Sequence, residues 1–153
     1  MIFMVFVIQR VTSASVKVDG KTVGGIERGL AVLCGIFDDD TEQTAAKMVK
    51  KLCALRIFED ENGKTNLSAA DVGGRLLIIS QFTLCADCTH GNRPAFVAAA
   101  RPEKAEPLYR YILGEAEKYL PGAEHGIFGA DMKVEIHNDG PFTVILDSRE
   151  LGY

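Results

Sequence analysis

The sequence predicts a mixed α/β domain in which β-sheets are covered on one side by helices. About eight short apolar segments are typical of strands, and two longer segments have helical signals. No linker, low-complexity stretch or internal repeat separates them, and strands with two helices favour this layered arrangement. With 153 residues, 47% of them hydrophobic, the chain can bury a core without disulfides or metal. We therefore expect a single domain over residues 1–153.

The first predicted strand lies near residues 2–9. This run is apolar but far shorter than the roughly 20 residues needed to span a bilayer. It lacks a basic leader and a small-residue cleavage site, so it does not indicate a signal peptide. We expect a buried strand and no membrane association.

The next three strands are predicted from turn chemistry and apolar runs. Ser15–Val18 and Lys21–Val23 flank Asp19-Gly20, a strong two-residue signal for a β-hairpin. Gly29–Ile36 is a continuous apolar run bounded by glycine, which is typical of a strand buried on both faces.

The first helix is predicted over residues 41–56. Apolar residues recur there at steps of three and four, which places one stripe against the core. Asp40 and Gln43 have the spacing of a helix N-cap and its reciprocal partner. The predicted stripe consists of Ala45, Met48, Val49, Leu52 and Leu55.

Two further strands and the second helix follow. Arg56–Phe58 predicts a short strand, and Arg75–Phe82 predicts a central strand entered through two glycines. A helix is expected from Pro102, where the missing N–H costs nothing, to about Tyr119. Pro107 lies inside it and is expected either to be absorbed near the first turn or to kink the helix.

The end of the chain predicts two closing strands, Lys133–His137 and Phe142–Leu146. They enclose Asn138-Asp139-Gly140-Pro141, a turn signal that by itself indicates no more than a hairpin.

Charge and cysteine content restrict the class of protein. The net charge of −4 argues against a protein that coats nucleic acid through a broad basic surface. Any nucleic-acid contact should be local, and we expect no DNA partner. Four cysteines without an export signal favour reduced thiols and a cytoplasmic location.

Cys85-Ala86-Asp87-Cys88 is the one motif that suggests metal or redox chemistry. Two thiolates at this spacing can bind zinc or cycle as a redox pair, and His90 could add a ligand. A closed zinc site needs four ligands, however, and no second Cys-x-x-Cys or spaced histidine pair is present. We therefore expect no metal and no cofactor, and keep a thiol or zinc protein as an alternative.

Two other motifs carry more information. In Ser80-Gln81-Phe82-Thr83-Leu84, an apolar strand ends in hydroxyl and amide groups, where pockets commonly lie. The other is Asn138-Asp139-Gly140-Pro141-Phe142-Thr143. With both motifs, the chain resembles the D-aminoacyl-tRNA deacylases over nearly its whole length. Further matching segments are Val7–Val11, Leu55–Phe58, Asn66–Ser68, Asp71–Gly74 and Phe128–Met132.

The resemblance implies a three-layer β/β/α fold, a homodimer, and hydrolysis of the ester between a D-amino acid and the 3′ end of tRNA. Gly140-Pro141 would be cis and would enter the partner subunit's pocket, where backbone carbonyls exclude an L-amino acid. Glycyl-tRNA should pass this gate, because glycine has no side chain to reject.

The resemblance also implies roles for individual residues. Ser80, Gln81, Phe82 and Thr83 would line the substrate pocket with Met132. Arg10 and Asn138 would support the Gly140-Pro141 segment.

Thr83 is a candidate hydroxyl but needs a base to become a nucleophile, and none is evident in either motif. The family instead uses the terminal 2′-hydroxyl of the tRNA, which has the advantage of proximity.

Some residues depart from the family pattern. Cys85, Cys88 and Ile127 stand where other residue types are common, which affects how firmly the acceptor stem is held. His90, Arg93, Arg101 and Lys104 are candidates for a small phosphate-binding patch, with a solvated surface as the alternative. A non-catalytic module that binds RNA ends remains a second alternative.

Overall fold

The computed structural model describes residues 4–153, so the start of the first predicted strand, residues 2 and 3, lies outside the described residues. The strands are β1 Val5–Val18, β2 Lys21–Ile26, β3 Gly29–Gly35, β4 Phe58–Glu59, β5 Thr65–Leu67, β6 Arg75–Ser80, β7 Glu124–His125 and β8 Lys133–Asp147. The helices are α1 Glu42–Ala54 and α2 Pro102–Tyr119, and a 3₁₀ turn spans Phe82–Cys85.

The predicted fold class is confirmed. Strands β2, β1, β3, β6 and β7 are paired in that order, β8 pairs with β1, and β4 and β5 form a separate two-stranded sheet. Buried apolar residues form two hydrophobic cores, and alternate residues of β6 belong to different ones. Leu76 and Ile78 pack in the core that contains residues of both helices. Leu77 packs in the other core, with Val16 and Ile26. The curved sheet therefore encloses an inner core between two β layers, and the helices form a third layer outside it.

Strand β1 is one strand where two were predicted. Its first half pairs with β3, from Val5 to Val11, and its second half pairs with β2, from Ala14 to Val18. Between the two predicted segments the strand continues, because ladder pairing with β8 is present on both sides through two register shifts. The Asp19-Gly20 hairpin is confirmed, with positive φ angles of 50° and 79° at the two turn residues.

Strand β8 is also continuous, so the predicted turn between two closing strands is wrong. Both halves run antiparallel to β1: Thr143 pairs with Gln9, and Asn138 pairs with Val11. Residues 139–142 therefore face only Arg10 and bulge out of the ladder.

Helix α1 confirms the predicted apolar stripe but not its cap. Thr41 is the N-cap, and its side chain accepts a hydrogen bond from the Thr44 N–H. Asp40 is buried instead, and its carboxylate accepts hydrogen bonds from the Phe37 N–H at 2.7 Å and the Met4 N–H at 3.0 Å. The longer-range contact with Met4, the residue before β1, takes the side chain away from the helix.

Helix α2 has the predicted bounds and runs through Pro107. Two strand predictions were shifted: β6 ends at Ser80 before the 3₁₀ turn, and β4 is Phe58–Glu59. Neither helix of the described chain is long and apolar enough to span a membrane.

Candidate functional site

The Ser80–Leu84 motif lies where β6 leaves the sheet. Strand β6 pairs with β3 and β7, and its apolar residues are buried up to Ile79. The Gln81 N–H still donates to the Cys34 carbonyl at 2.8 Å, and the chain then enters the 3₁₀ turn at Phe82. The change from apolar to polar residues therefore marks the end of a buried strand, as predicted.

A cavity of about 540 Å³ opens beside this strand end. Its walls come from the ends of β3 and β6, the segment before β8 and the first turn of α2. Its lining residues are Ile36, Ser80, Gln81, Phe82, Ala100, Pro102, Ala105, Phe128, Gly129, Ala130, Asp131 and Met132. Four residues chosen from the sequence, Ser80, Gln81, Phe82 and Met132, are thus brought together, whereas Thr83 does not line the cavity.

Sequence reasoning missed the wall formed by Phe128 and by the start of α2. The Phe128 ring lies 5.9 Å from the Tyr109 ring, and the Tyr109 hydroxyl donates to the Ile78 carbonyl at 2.6 Å. This chain of contacts ties the cavity wall to β6 and α2. Phe128 lies in a segment that matched the family pattern, but nothing in the sequence indicates that α2 faces this segment.

The position of Met132 depends on a glycine. A Cβ atom added to Gly126 would lie 2.4 Å from the Met132 sulfur, so a side chain at position 126 would displace the methionine. Met132 also packs against the inner core, so this one side chain contacts both the cavity and the inner core.

The cavity offers little acid–base chemistry. Among the described residues that line it, only Asp131 has an ionisable side chain, which is exposed and paired with Lys133 at 2.9 Å. The Thr83 hydroxyl accepts a hydrogen bond from the Gln81 side-chain amide at 2.5 Å. An amide N–H₂ group donates and cannot take up a proton, so this contact does not activate Thr83 as a nucleophile.

The cysteines are not arranged for metal or thiol chemistry. Cys85 is buried, its thiol donates to the Ile36 carbonyl at 3.4 Å, and burial raises its pKa to about 12. Burial also raises the pKa of Cys34, with Asp40 as the second cause. Cys88 is exposed. Among residues 4–153, no cluster of three or more His, Cys, Asp or Glu side chains is suited to hold a metal ion.

The second motif is supported by Arg10. The buried guanidinium donates to the Ile57 carbonyl at 2.8 Å and to the Asp139 carbonyl at 3.1 Å, and lies 3.5 Å from the Asp139 carboxylate. It also stacks on the Phe142 ring, 4.5 Å from its centre. Arg10 therefore contacts the chain on both sides of Gly140-Pro141.

Asn138 closes the same segment. Its side-chain oxygen accepts the Phe142 N–H at 2.6 Å, and its amide nitrogen donates to the Gln9 side chain. Thr143 donates to the same Gln9 oxygen. These contacts hold the two ends of the bulge together.

Gly140 and Pro141 are exposed, and the peptide bond between them is cis. Gly140 has a φ angle of +129°, which L side chains rarely adopt. No residue from 138 to 142 lines the cavity beside Ser80. The cavity beside Ser80 and the exposed Gly140-Pro141 loop are therefore separate features that do not meet within one molecule.

Comparisons with known proteins agree on one family. The sequence profile of D-Tyr-tRNA(Tyr) deacylase matches residues 7–147. A protein from Sulfurihydrogenibium sp., named D-aminoacyl-tRNA deacylase, is 53% identical, with 97% of this chain and 100% of the relative covered. A protein of the same name from Koribacter versatilis is 52% identical, with 94% and 97% covered.

Two solved structures are similar. One, named c-Myc DNA Unwinding Element Binding Protein, is 44% identical with a TM-score of 0.87, covering 93% of this chain and 97% of that chain. The other is described as a probable eukaryotic D-amino acid tRNA deacylase. It is 17% identical with a TM-score of 0.83, covering 95% of this chain and 99% of that chain, and shows the shared fold.

Proposed function

The chain belongs to the D-Tyr-tRNA(Tyr) deacylase family, and from this premise we propose how it hydrolyses the ester that joins a D-amino acid to tRNA. The relatives at about half identity are named D-aminoacyl-tRNA deacylases, and this chain is a hydrolase of that class. The observation that carries the proposal is the cavity at the end of β6, built by the Ser80–Phe82 motif together with Met132.

The cavity is suited to the 3′-terminal adenosine and its aminoacyl group. Its volume of about 540 Å³ lies within the usual range for small-molecule sites. Apolar surface from Phe128, Met132 and Ile36 provides packing for a base, while Ser80 and backbone groups provide hydrogen bonds. The first turn of α2 lies against one wall and contributes a partial positive charge near the RNA.

The tRNA supplies the hydroxyl that assists hydrolysis. Among residues 4–153, the side chain in contact with the Thr83 hydroxyl is the Gln81 amide, which is not a base. The 2′-hydroxyl of the terminal ribose, by contrast, lies next to the ester in every substrate. Water adds to the ester carbonyl carbon with help from this hydroxyl, the bond to the 3′ oxygen breaks, and that oxygen takes a proton. The free D-amino acid and tRNA result.

The backbone N–H group of Phe82, a residue that lines the cavity, stabilises the charge on the carbonyl oxygen during this step. It is the first N–H group of the 3₁₀ turn and has no acceptor within the turn.

Selection against L-amino acids comes from the Gly140-Pro141 loop of a second subunit. The loop is exposed, supported by Arg10, and remote from its own cavity, so it can act on a cavity only across a dimer. Glycine at position 140 brings the backbone close to the substrate without a Cβ atom of its own. Glycyl-tRNA passes, because it presents no side chain toward the loop.

The dimer surface proposed here is the outer face of β1 and β8. Ile145 has 63% of its surface exposed, and Val5 and Val7 on the neighbouring strand are only partly buried. An exposed isoleucine on an edge strand would promote aggregation of a monomer, whereas in a homodimer it would be buried in the interface.

Deacylation of D-tyrosyl-tRNA and L-tyrosyl-tRNA by the purified protein tests this function. Release of D-tyrosine with L-tyrosyl-tRNA left intact is the expected result. Equal rates on both, or no hydrolysis of either, would refute the proposal. Glycyl-tRNA in a third reaction tests the expected side activity.

The two alternatives have less support. A thiol or zinc protein would need ionised or clustered cysteines, whereas the high pKa of Cys85 keeps its thiol protonated. A module that only binds RNA ends predicts tRNA binding without ester hydrolysis, which the same assay detects. The net charge of −4 also disfavours a DNA-binding role like the one named for one structural relative. We place the enzyme in the cytoplasm, where aminoacyl-tRNA is made and used.

A further inference from the structure

An apolar loop tip stands beside the cavity without a partner in the described chain. Val97 has 93% of its surface exposed, and the Phe96 and Phe82 side chains are 37% and 56% exposed. We propose that Phe82, Phe96 and Val97 form a platform on which the unpaired nucleotides preceding the terminal adenosine of tRNA stack. The proposal rests on the proposed function and extends its substrate site beyond one nucleoside.

The loop that carries the platform is held at several points. Asp87 and Ala95 exchange backbone hydrogen bonds at 2.7 and 2.9 Å at its base. The Ala99 N–H donates to the Phe96 carbonyl at 3.1 Å, which closes a turn with Val97 at its exposed corner. Beyond the turn, the Ala100 N–H donates to the Ile36 carbonyl at 3.0 Å, at the edge of the cavity. The position of the tip is thus fixed relative to the cavity.

The two aromatic rings form one continuous surface. Phe82 and Phe96 meet edge to face, with ring centres 5.1 Å apart and planes at 66°. Phe82 also lines the cavity, so the apolar surface passes without a gap from the proposed adenosine site to the loop. Because every base has a π-face, exposed aromatic rings bind successive nucleotides with little dependence on sequence.

The charges around the platform favour an RNA strand. Arg93 and Arg101 are both exposed and lie on either side of Phe96 and Val97 along the chain. In a chain of net charge −4, two arginines flanking an apolar tip are complementary to a phosphate backbone. The 3′ end of tRNA is single-stranded, which leaves its bases free to stack.

The test compares a full and a minimal substrate. We expect Phe96→Ala and Val97→Glu to lower kcat/KM on D-tyrosyl-tRNA by about tenfold, mainly through KM, because stacking contacts are lost. Hydrolysis of 3′-O-(D-tyrosyl)adenosine, which ends at the cavity, should stay within about twofold of wild type. The Val97 side chain is almost fully exposed and makes few contacts in the folded protein, so Val97→Glu should not disturb the fold. This variant therefore remains informative even where Phe96→Ala disturbs Phe82.

Tyr119→Glu provides a matched control for added negative charge. Tyr119 is exposed at the far end of α2, about 26 Å of helix from Pro102, and this variant should leave both substrates unaffected. Equal losses on both substrates, or no loss on D-tyrosyl-tRNA, would overturn the platform. A halved mass of Val97→Glu by light scattering would assign the surface to a second copy of the chain instead. A wild-type protein inactive on both substrates would refute the proposed function itself.

Discussion

Replacing Arg10 with methionine tests whether a buried guanidinium holds the Gly140-Pro141 loop in place. Methionine keeps most of the apolar stem and removes the charge and the hydrogen-bond donors. We expect the free energy of unfolding to fall by about 3 kcal/mol and the preference for D-tyrosyl-tRNA over L-tyrosyl-tRNA to fall at least tenfold.

The magnitude follows from the contacts of Arg10. Its two hydrogen bonds to the Ile57 and Asp139 carbonyls are each worth about 1.5–3 kcal/mol, since the donor is charged. The ion pair with Asp139 adds less than about 1 kcal/mol because that carboxylate is 45% exposed. Stacking on Phe142 adds about 1 kcal/mol. Loss of the desolvation penalty of a buried charge offsets part of this sum.

Selectivity falls because the loop then has no fixed position. A tenfold loss of preference corresponds to only about 1.4 kcal/mol, less than the support that Arg10 provides. Urea unfolding measures the stability, and deacylation of the two tyrosyl-tRNA enantiomers measures the selectivity.

Arg28→Met is the matched control, because Arg28 is exposed and its guanidinium lies over the Phe58 ring, 5.3 Å from the ring centre. It should cost at most about 1 kcal/mol and leave selectivity intact. An Arg10→Met protein that is as stable and as selective as wild type would show that the loop is held by its own hydrogen bonds.

Three further predictions concern catalysis, stability and assembly. Thr83→Val should keep kcat within about threefold, whereas tRNA ending in 2′-deoxyadenosine, esterified at its 3′ oxygen, should react at least roughly 100-fold more slowly; the reverse pattern would make Thr83 the reacting hydroxyl. Burial raises the pKa of Asp40 from 3.8 to about 6, so its contribution to stability is complete below pH 4 and is lost as pH rises through 6. Urea titrations at pH 4 and 7.5 should show that the free energy of unfolding falls by roughly 2 kcal/mol more in wild type than in Asp40→Asn. The same pH dependence of stability in both proteins would contradict this. Ile145→Asp should give a particle of 16.6 kDa by light scattering instead of twice that mass, together with loss of activity; an unchanged mass would move the dimer surface elsewhere.

Local signals were sufficient for several elements. Pro102 predicted the start of α2, because a proline in the first turn acts within a few residues of the helix end. Asp19-Gly20 predicted the hairpin for the same reason, since only the turn residues adopt positive φ.

Errors arose where distant partners decided the outcome. Asp40 had the spacing of an N-cap, yet its carboxylate accepts hydrogen bonds from the N–H groups of Phe37 and of Met4, which is 36 residues away in sequence. Strand β8 had the sequence of a hairpin, yet both of its halves pair with β1.

By itself, the sequence determined the fold class, the two helices, and the motif residues Ser80–Phe82 and Met132 that identify the family. These depend on periodicity, on turn residues and on side-chain chemistry, which are properties of short segments. Only the tertiary structure decided that Phe128 and the start of α2 complete the cavity, that Thr83 does not line it, and that Gly140-Pro141 lies apart from it. Such relations join residues far apart in the chain, and they follow from packing of the layers, which no local pattern encodes.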